Sequence, residues 1–160
     1  MRLGLVIASI ALVLDQLSKY WILIVYDLPQ KASVEILPFF SLTMVWNKGI
    51  SLGLFQAGSD IARWALVAVT AIVTVFLVFW LAKAQAKILK IALGLVIGGA
   101  LGNIIDRIHL GAVADFIHLH AFDYSFYVFN VADAAITIGV GLLLLDAYLL
   151  SGKKDKPPEN

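Results

Sequence analysis

The chain has 160 residues, which is enough for one domain. Hydrophobic residues make up 61% before its 12 glycines are counted, whereas soluble proteins have about 45–50% with glycine included. Charged residues reach only 14%, and the mean hydropathy is +0.93. These values exclude a soluble domain and predict an integral membrane protein with several spans. A net charge of +1 leaves no basic excess for nucleic acid, and the absence of cysteine excludes disulfides, thiolate metal sites and a cysteine nucleophile.

Four stretches of the chain are apolar enough to cross a bilayer, which takes about 20 mainly apolar residues in a helix. They cover approximately residues 3–26, 62–82, 88–109 and 128–150. A signal peptide is the alternative for the first stretch, because Arg2 precedes an apolar run. No small-x-small cleavage site follows, and apolar residues resume after Lys19. We therefore predict an uncleaved helix there.

The lysines and arginines near the span ends predict the orientation, because cytoplasmic loops carry an excess of them. With four spans both termini share one side, and that side has seven basic residues against four, with Lys19 inside the first span. The seven are Arg2, Lys83, Lys87, Lys90, Lys153, Lys154 and Lys156, and the four are Lys31, Lys48, Arg63 and Arg107. We expect residues 1–152 to form a single membrane domain and residues 153–160 to form a disordered cytoplasmic tail.

The segment between the first two spans, residues 27–60, is long enough to hold structure of its own. Residues 34–46 are rich in β-branched and aromatic residues and are interrupted by Pro38, which predicts short strands. The fold class that we predict is an all-α integral membrane protein. It has four transmembrane helices and a small β-structured outer, periplasmic, loop region.

Charged residues at membrane depth cost about 2.5–3.5 kcal/mol each on the insertion scale, so each is a candidate for function. Asp15 and Lys19 are four residues apart on one helix face and are expected to neutralise each other. Asn103, Asp106 and Arg107 share a face at the outer end of the third span. The chain therefore carries two polar groups of residues inside its predicted spans.

Asp115 and Asp133 both fall at the outer membrane boundary, because the third helix runs outward and the fourth returns. Two carboxyls held close together can share one proton, which provides a base that activates water and an acid that protonates the opposing oxygen. This is the chemistry of an aspartic protease. The alternative is that each aspartate caps a helix or balances Arg107. The accompanying asparagines, such as Asn130 three residues before Asp133, favour the pair.

His118 and His120, flanked by Asp115 and Asp123, offer a weak zinc signal. Imidazole and carboxylate do bind zinc, but a His-x-His sequence in an aqueous loop is usually a surface feature. We therefore predict that the chain uses no metal and no other cofactor.

Five segments, in this order, resemble the signature segments of bacterial lipoprotein signal peptidases (signal peptidase II). The likeness spans nearly the whole chain. The segments are Asp15-Gln16-Leu17-Ser18-Lys19, Asn47-Lys48-Gly49, the run from Gly98 to Arg107, Val113-Ala114-Asp115-Phe116 and Phe129-Asn130-Val131-Ala132-Asp133.

The resemblance implies an aspartyl endopeptidase without a metal, which removes the signal peptide from diacylglyceryl-modified prolipoproteins by cleaving before the lipidated cysteine. It implies a multi-pass protein of the bacterial inner membrane, with both termini in the cytoplasm and the active site at the outer face. Its expected partners are the prolipoprotein and membrane lipids, and we expect a monomer. The implied site residues are Asp115 and Asp133 as the catalytic pair; Asn47, Gly99, Asn103, Arg107, Asn130 and Ala132 in substrate binding or support of the pair; and Asp15, Lys19 and Asp106 as structural polar support.

A small proton-coupled membrane carrier is the main alternative, because intramembrane acidic and basic residues also form proton relays. A carrier's polar residues should extend through both leaflets, whereas all but Asp146 fall in the predicted outer half. A structural subunit of a larger complex is a third possibility, and it predicts no dependence on the carboxylates.

Overall fold

The structure is a computed structural model that describes residues 1–49, 60–121 and 124–154, the last six of these by their backbone alone. Its helices are α1 (Arg2–Tyr20), α2 (Leu28–Lys31), α3 (Asp60–Lys83), α4 (Lys87–His109) and α5 (Val131–Lys154). A π-helical turn, Trp21–Val25, continues α1. Among the described residues, four helices are long and apolar enough to cross a membrane, and they correspond to the four predicted spans. Their bounds are Arg2–Val25, Asp60–Lys83, Lys87–His109 and Val131–Tyr148.

The central helix of the bundle is α4, which packs against α1, α3 and α5. Small residues make the approach of α1 possible, because a Cβ at Gly98 would collide with the backbone of Ala8. In contrast, α3 turns large apolar side chains such as Ile72 and Phe79 outward. A helix that is apolar on its outer face is typical of a membrane span.

Four short strands form one antiparallel sheet from the segments that join α1 to α3 and α4 to α5. They are β1 (Ser33–Leu37), β2 (Phe40–Asn47), β3 (Val113–Ala121) and β4 (Tyr124–Ser125), in the order β1-β2-β3-β4. The strands predicted in residues 34–46 are present as a hairpin, and its turn lies at Pro38, where the sequence predicted an interruption. The description all-α is therefore incomplete, because β2 and β3 come from different connecting segments and pair with each other.

A β-bulge in β2 determines which side chains share a face of the sheet. Leu42 pairs with Ile117 and Val45 pairs with Asp115, so the register shifts by one residue between these two pairs. Because successive residues of a strand point to opposite faces, Asp115 and His118 lie on opposite sides of β3. Leu42 and Phe116 of the strands pack with Ile22 of the π-helical turn and Leu28 of α2 in one apolar core.

The fourth helix begins later than the predicted span 128–150. Phe129 is still bridged to Ile117 of β3, and α5 begins only at Val131. At its other end, α5 continues to Lys154, so the first two residues of the predicted tail are helical. Residues 155–160 lie outside the described residues.

Candidate active site

Asp115, on β3, is almost completely buried, with 1% of its surface exposed. Asn47, at the end of β2, donates from Nδ2 to Oδ2 of Asp115 at 3.0 Å. Asn130, just before α5, donates from Nδ2 to Oδ1 of Asp115 at 2.6 Å. Each oxygen of this carboxyl therefore has an amide donor from a different segment of the chain.

Asp133 lies in the first turn of α5, where it forms a reciprocal cap with Asn130. The backbone N–H of Asp133 donates to Oδ1 of Asn130 at 2.9 Å, and the backbone N–H of Asn130 donates to Oδ2 of Asp133 at 3.4 Å. This is the geometry of a capping box. The capping role that the sequence offered as an alternative is therefore present. The capping hydrogen bond is accepted by Oδ2 of Asp133, whereas Oδ1 accepts a hydrogen bond from Nδ2 of Asn103 at 2.8 Å.

Two asparagine side chains join the two aspartates. Nδ2 of Asn130, which donates to Asp115, also reaches Oδ1 of Asn103 at 3.3 Å. The orientation of the Asn130 amide is fixed, because a backbone N–H can only donate and therefore selects the amide oxygen. Asp115, Asn130, Asn103 and Asp133 consequently form one continuous hydrogen-bonded chain. The sequence predicted each of these four residues as part of the site.

Burial raises the pKa of Asp115 from 3.8 to about 6. This value is the net of several effects: burial and the negative charge of Asp133 raise the pKa, whereas hydrogen bonds from Asn47 and Asn130 and the charge of Lys19 lower it. A carboxyl that titrates close to neutral pH can both hold and release a proton under physiological conditions, as a general acid or base must.

Behind the pair lies a buried charged group made of Asp15, Lys19 and Asp106, named here the Lys19 cluster. Nζ of Lys19 lies 2.8 Å from Oδ2 of Asp15 and 2.8 Å from Oδ2 of Asp106. The predicted pairing of Asp15 with Lys19 is therefore present. Asp106 was expected as structural polar support, but its direct contact with Lys19 was not predicted, because the two residues are distant in sequence.

Arg107, on α4, lies beside this network. Its Nη1 donates to the backbone oxygen of Asn103 at 3.2 Å. The guanidinium also interacts electrostatically with Asp133, Asp106 and Asp115. A fixed positive charge near both members of the pair offsets part of the repulsion between them.

Gly99 and Ala132 lie at the contact between α4 and α5. A Cβ at Gly99 would come within 2.5 Å of the backbone oxygen of Ala132, and Ala132 has no exposed surface. Their small size therefore lets the two helices approach. This geometry supports the aspartate pair, because it holds the start of α5 against α4.

His118 and His120 lie on the face of β3 opposite Asp115, where both rings contact hydroxyl groups. His118 lies 3.2 Å from Oγ1 of Thr43, and His120 lies 2.8 Å from Oγ of Ser41. Within the described ranges, no group of three or more His, Cys, Asp or Glu residues could hold a metal ion. Asp123, part of the zinc alternative, lies outside the described residues.

A cavity of about 380 Å³ adjoins Asp133. Its lining is mostly aromatic and aliphatic and comes from the segment before α5 and from the first turns of α5. The lining residues are Phe126, Tyr127, Phe129, Asp133, Ala134, Thr137 and Ile138. Apart from Asp133, the sequence gave these residues no role in a binding cavity, because only the fold brings the aromatic segment beside the carboxyl.

Comparison with known proteins identifies the family. The model of the family Signal peptidase (SPase) II matches residues 7–149. The lipoprotein signal peptidase of Methylobacterium sp. (strain 4-46) is 46% identical over 153 residues, which cover 96% of this chain and 93% of that protein. That of Sphingopyxis alaskensis is 48% identical over 162 residues, covering 99% of this chain and 94% of that protein.

Solved structures agree in fold. A bacterial membrane enzyme solved by the in meso method at 2.3 Å resolution is 32% identical, with a TM-score of 0.81, and the match covers 98% of this chain and 93% of that one. A second, solved at 1.9 Å, is 33% identical with a TM-score of 0.77. The matched family model, the full-length relatives and the shared fold together establish that the chain belongs to the signal peptidase II family.

Proposed function

We propose that this chain is an aspartic endopeptidase of the bacterial inner membrane that removes signal peptides from prolipoproteins, with Asp115 and Asp133 as its catalytic residues. The substrate bond is the one before the diacylglyceryl-modified cysteine. The activity follows from the family, and the assignment of the two aspartates rests on the geometry of their site.

One observation carries the assignment: Asn130 and Asn103 join the buried carboxyl of Asp115 to the carboxyl of Asp133 in a single hydrogen-bonded chain. A structural cap would explain the contacts of Asp133 alone. It would not explain why a second aspartate, Asp115 on a strand, is buried with its carboxyl bonded to the same asparagine that caps the helix of Asp133. Two carboxyls in such a site share one proton more readily than both ionise.

The raised pKa of Asp115 supports a division of roles between the two aspartates. Asp115 retains its proton more readily than an ordinary aspartate, so it is the acid that protonates the carbonyl oxygen of the scissile peptide. Asp133 then acts as the base that takes a proton from water while the water oxygen attacks the carbonyl carbon. The tetrahedral intermediate collapses when Asp133 gives that proton to the amine nitrogen and the C–N bond breaks. Asp115 then regains its proton from one hydroxyl of the intermediate, which leaves the new carboxyl group and restores the singly protonated pair.

The cavity beside Asp133 is suited to an apolar substrate. Signal peptides are apolar, and the aromatic lining offers them a surface to contact without unpaired polar groups. The acyl chains of a lipidated cysteine would remain in the bilayer, where each buried methylene contributes about 0.8 kcal/mol. Membrane lipids thus act as a second partner by confining the substrate to the plane of the enzyme.

We place both termini in the cytoplasm and the active site at the outer face. The distribution of lysine and arginine between the two ends of the spans supports this orientation. An aspartate pair at the outer boundary meets both the end of a signal peptide helix and water. We also propose that the protein acts as a monomer, since this chain supplies both aspartates and the asparagines that bond them.

Cleavage of a diacylglyceryl-modified prolipoprotein by the purified protein in detergent tests this function. The expected product is a signal peptide whose last residue precedes the modified cysteine, as measured by mass spectrometry, and unmodified substrate serves as the control. Absence of cleavage, combined with proton movement into proteoliposomes, would instead favour the carrier.

A further inference from the structure

We infer that the Lys19 cluster positions the catalytic pair by fixing the backbone immediately before each aspartate. This inference rests on the proposed function, because it assigns Asp15, Lys19 and Asp106 a part in the reaction of Asp115 and Asp133.

The first connection runs from Asp106 to the strand that carries Asp115. Oδ2 of Asp106, which contacts Lys19, also accepts the backbone N–H of Ala114 at 3.1 Å. Ala114 directly precedes Asp115 and has no exposed surface. The position of this carboxylate therefore sets the position of the peptide unit between Val113 and Ala114, one residue before Asp115.

The second connection runs from Asp15 to the helix that carries Asp133. Oδ1 of Asp15 accepts the backbone N–H of Ala132 at 2.9 Å. N–H groups in the first turn of a helix have no acceptor within that helix. Asp15, on α1, supplies the acceptor for the residue directly before Asp133.

Lys19 joins the two connections. Its ammonium group has three N–H donors. Two reach Asp15 and Asp106, each at 2.8 Å, and the third reaches Oδ1 of Asn103 at 3.3 Å. The bond to Asn103 directs the other end of that amide, Nδ2, toward Asp133. The buried ammonium group of Lys19 therefore orients one carboxylate behind each catalytic residue. It also orients the amide of Asn103, which bonds Asp133.

Charge neutralisation alone does not account for this arrangement. One lysine contacts two aspartates. Transferring such charges from water into the protein often costs more free energy than their mutual attraction recovers. In contrast, the two backbone N–H groups that the cluster binds have corresponding positions in the sequence. Each belongs to the alanine that directly precedes one of the two catalytic aspartates. A positioning role explains that correspondence. It also predicts an effect on the rate, because a displacement of about 1 Å in a catalytic group can cost about 10²-fold.

Backbone esters provide the sharpest test. Lactic acid incorporated in place of Ala114 or Ala132 removes a single N–H and retains the methyl group and every charged side chain. The control is the same replacement at Ala84, whose N–H donates to the backbone oxygen of Leu81 at 3.2 Å at the end of α3. All three proteins are compared with the unmodified chain in detergent, after thermal melting has shown that they are folded.

We expect esters at Ala114 and Ala132 to lower kcat at least about tenfold with KM changed less than about twofold, since the reacting groups move but the cavity does not. The limbs of the pH profile should also shift, because their positions report the coupling between the two carboxyls. The ester at Ala84 should leave kcat and the pH profile unchanged.

A side-chain pair gives an independent measurement. Asp106→Leu keeps the branching and the number of side-chain heavy atoms but has no acceptor for the N–H of Ala114, whereas Asp106→Asn retains an oxygen there. Activity lost in Asp106→Leu should be largely recovered in Asp106→Asn. If Asp106→Leu fails to fold, the esters at Ala114 and Ala132 still test the positioning role.

Native kcat and pH profiles in the folded Ala114 and Ala132 esters would overturn the inference, as would an equal loss in the Ala84 ester. If Asp115→Asn is inactive in the same preparations, the proposed function survives that result. Cleavage by Asp115→Asn and Asp133→Asn would instead refute the catalytic assignment itself.

Discussion

Asn130 donates to Oδ1 of Asp115 at 2.6 Å, and the same asparagine forms the N-terminal cap of the helix that carries Asp133. One side chain thus holds a strand carboxyl against the start of a helix. Because its amide oxygen and amide nitrogen have separate partners, its two tasks can be separated by substitution.

Replacement of Asn130 by serine or alanine should distinguish these tasks. Serine retains a hydroxyl that can cap α5 but cannot reach Asp115 with an amide donor, whereas alanine lacks both. We expect Asn130→Ala to lose about 1 kcal/mol more stability than Asn130→Ser, while both lose activity. Thermal melting and cleavage rates of the two variants provide the measurement. Full activity in Asn130→Ser would show that the bond to Asp115 is dispensable.

Asp115→Asn and Asp133→Asn should each lower the cleavage rate about 10²–10⁴-fold, because an amide of nearly the same shape cannot transfer the proton. Both proteins should still insert and fold. The check is the rate of cleavage of a lipidated substrate, with equal amounts of folded protein established by gel filtration. Turnover close to that of the unmodified chain in either variant would contradict the assignment.

The four helices were predictable because an apolar run of span length leaves few alternatives, and the aspartate pair was predictable because charges in such surroundings are conspicuous. The start of α5 was not. Phe129 extends the apolar run, yet it forms a bridge to Ile117, and a contact between distant segments leaves no periodic signal in either one.

The same limit applies to the Lys19 cluster. Asp15 and Lys19 are four residues apart on one helix, so their pairing could be predicted. Asp106 joins them from another helix, and its contact with the N–H of Ala114 involves a backbone group that the sequence cannot distinguish from any other. Contacts of side chains with a distant backbone are visible only in the fold.

Gly99→Ala should destabilise the protein, because the added Cβ would meet the backbone oxygen of Ala132. Overpacking of this kind costs about 1–3 kcal/mol, and the displacement of α5 should reduce activity as well. Gly141→Ala is the matched control on α5, since a Cβ there meets nothing within 4 Å. Comparable melting temperatures for the two variants would contradict the tight contact between α4 and α5.

Chelation should leave cleavage unchanged, because the carboxyl pair activates water without a metal. His118→Ala with His120→Ala should likewise retain the catalytic rate, since both rings face away from Asp115. Rates measured before and after EDTA treatment test this expectation. Loss of activity on chelation that zinc restores would favour a metal-dependent reaction.

The pKa of about 6 for Asp115 predicts how both stability and rate depend on pH. A carboxyl whose pKa is higher in the folded protein than in the unfolded chain contributes stability that is complete below the unfolded value of about 3.9. That contribution is lost as the pH rises through about 6. The melting temperature of Asp115→Asn minus that of the unmodified chain should therefore increase between these two pH values and level off above them.

The rate of cleavage should also depend on the protonation of Asp115. Protonated Asp115 is the acid, so kcat/KM should fall as the pH rises above about 6. The corresponding limb of kcat should lie at higher pH, because bound apolar substrate excludes water and further disfavours the second negative charge. Cleavage rates across pH 4 to 9, with folding verified at each point, measure the high-pH limb of kcat/KM and that of kcat. A kcat/KM that stays flat from about pH 5 to 8 would be incompatible with a proton donated by Asp115.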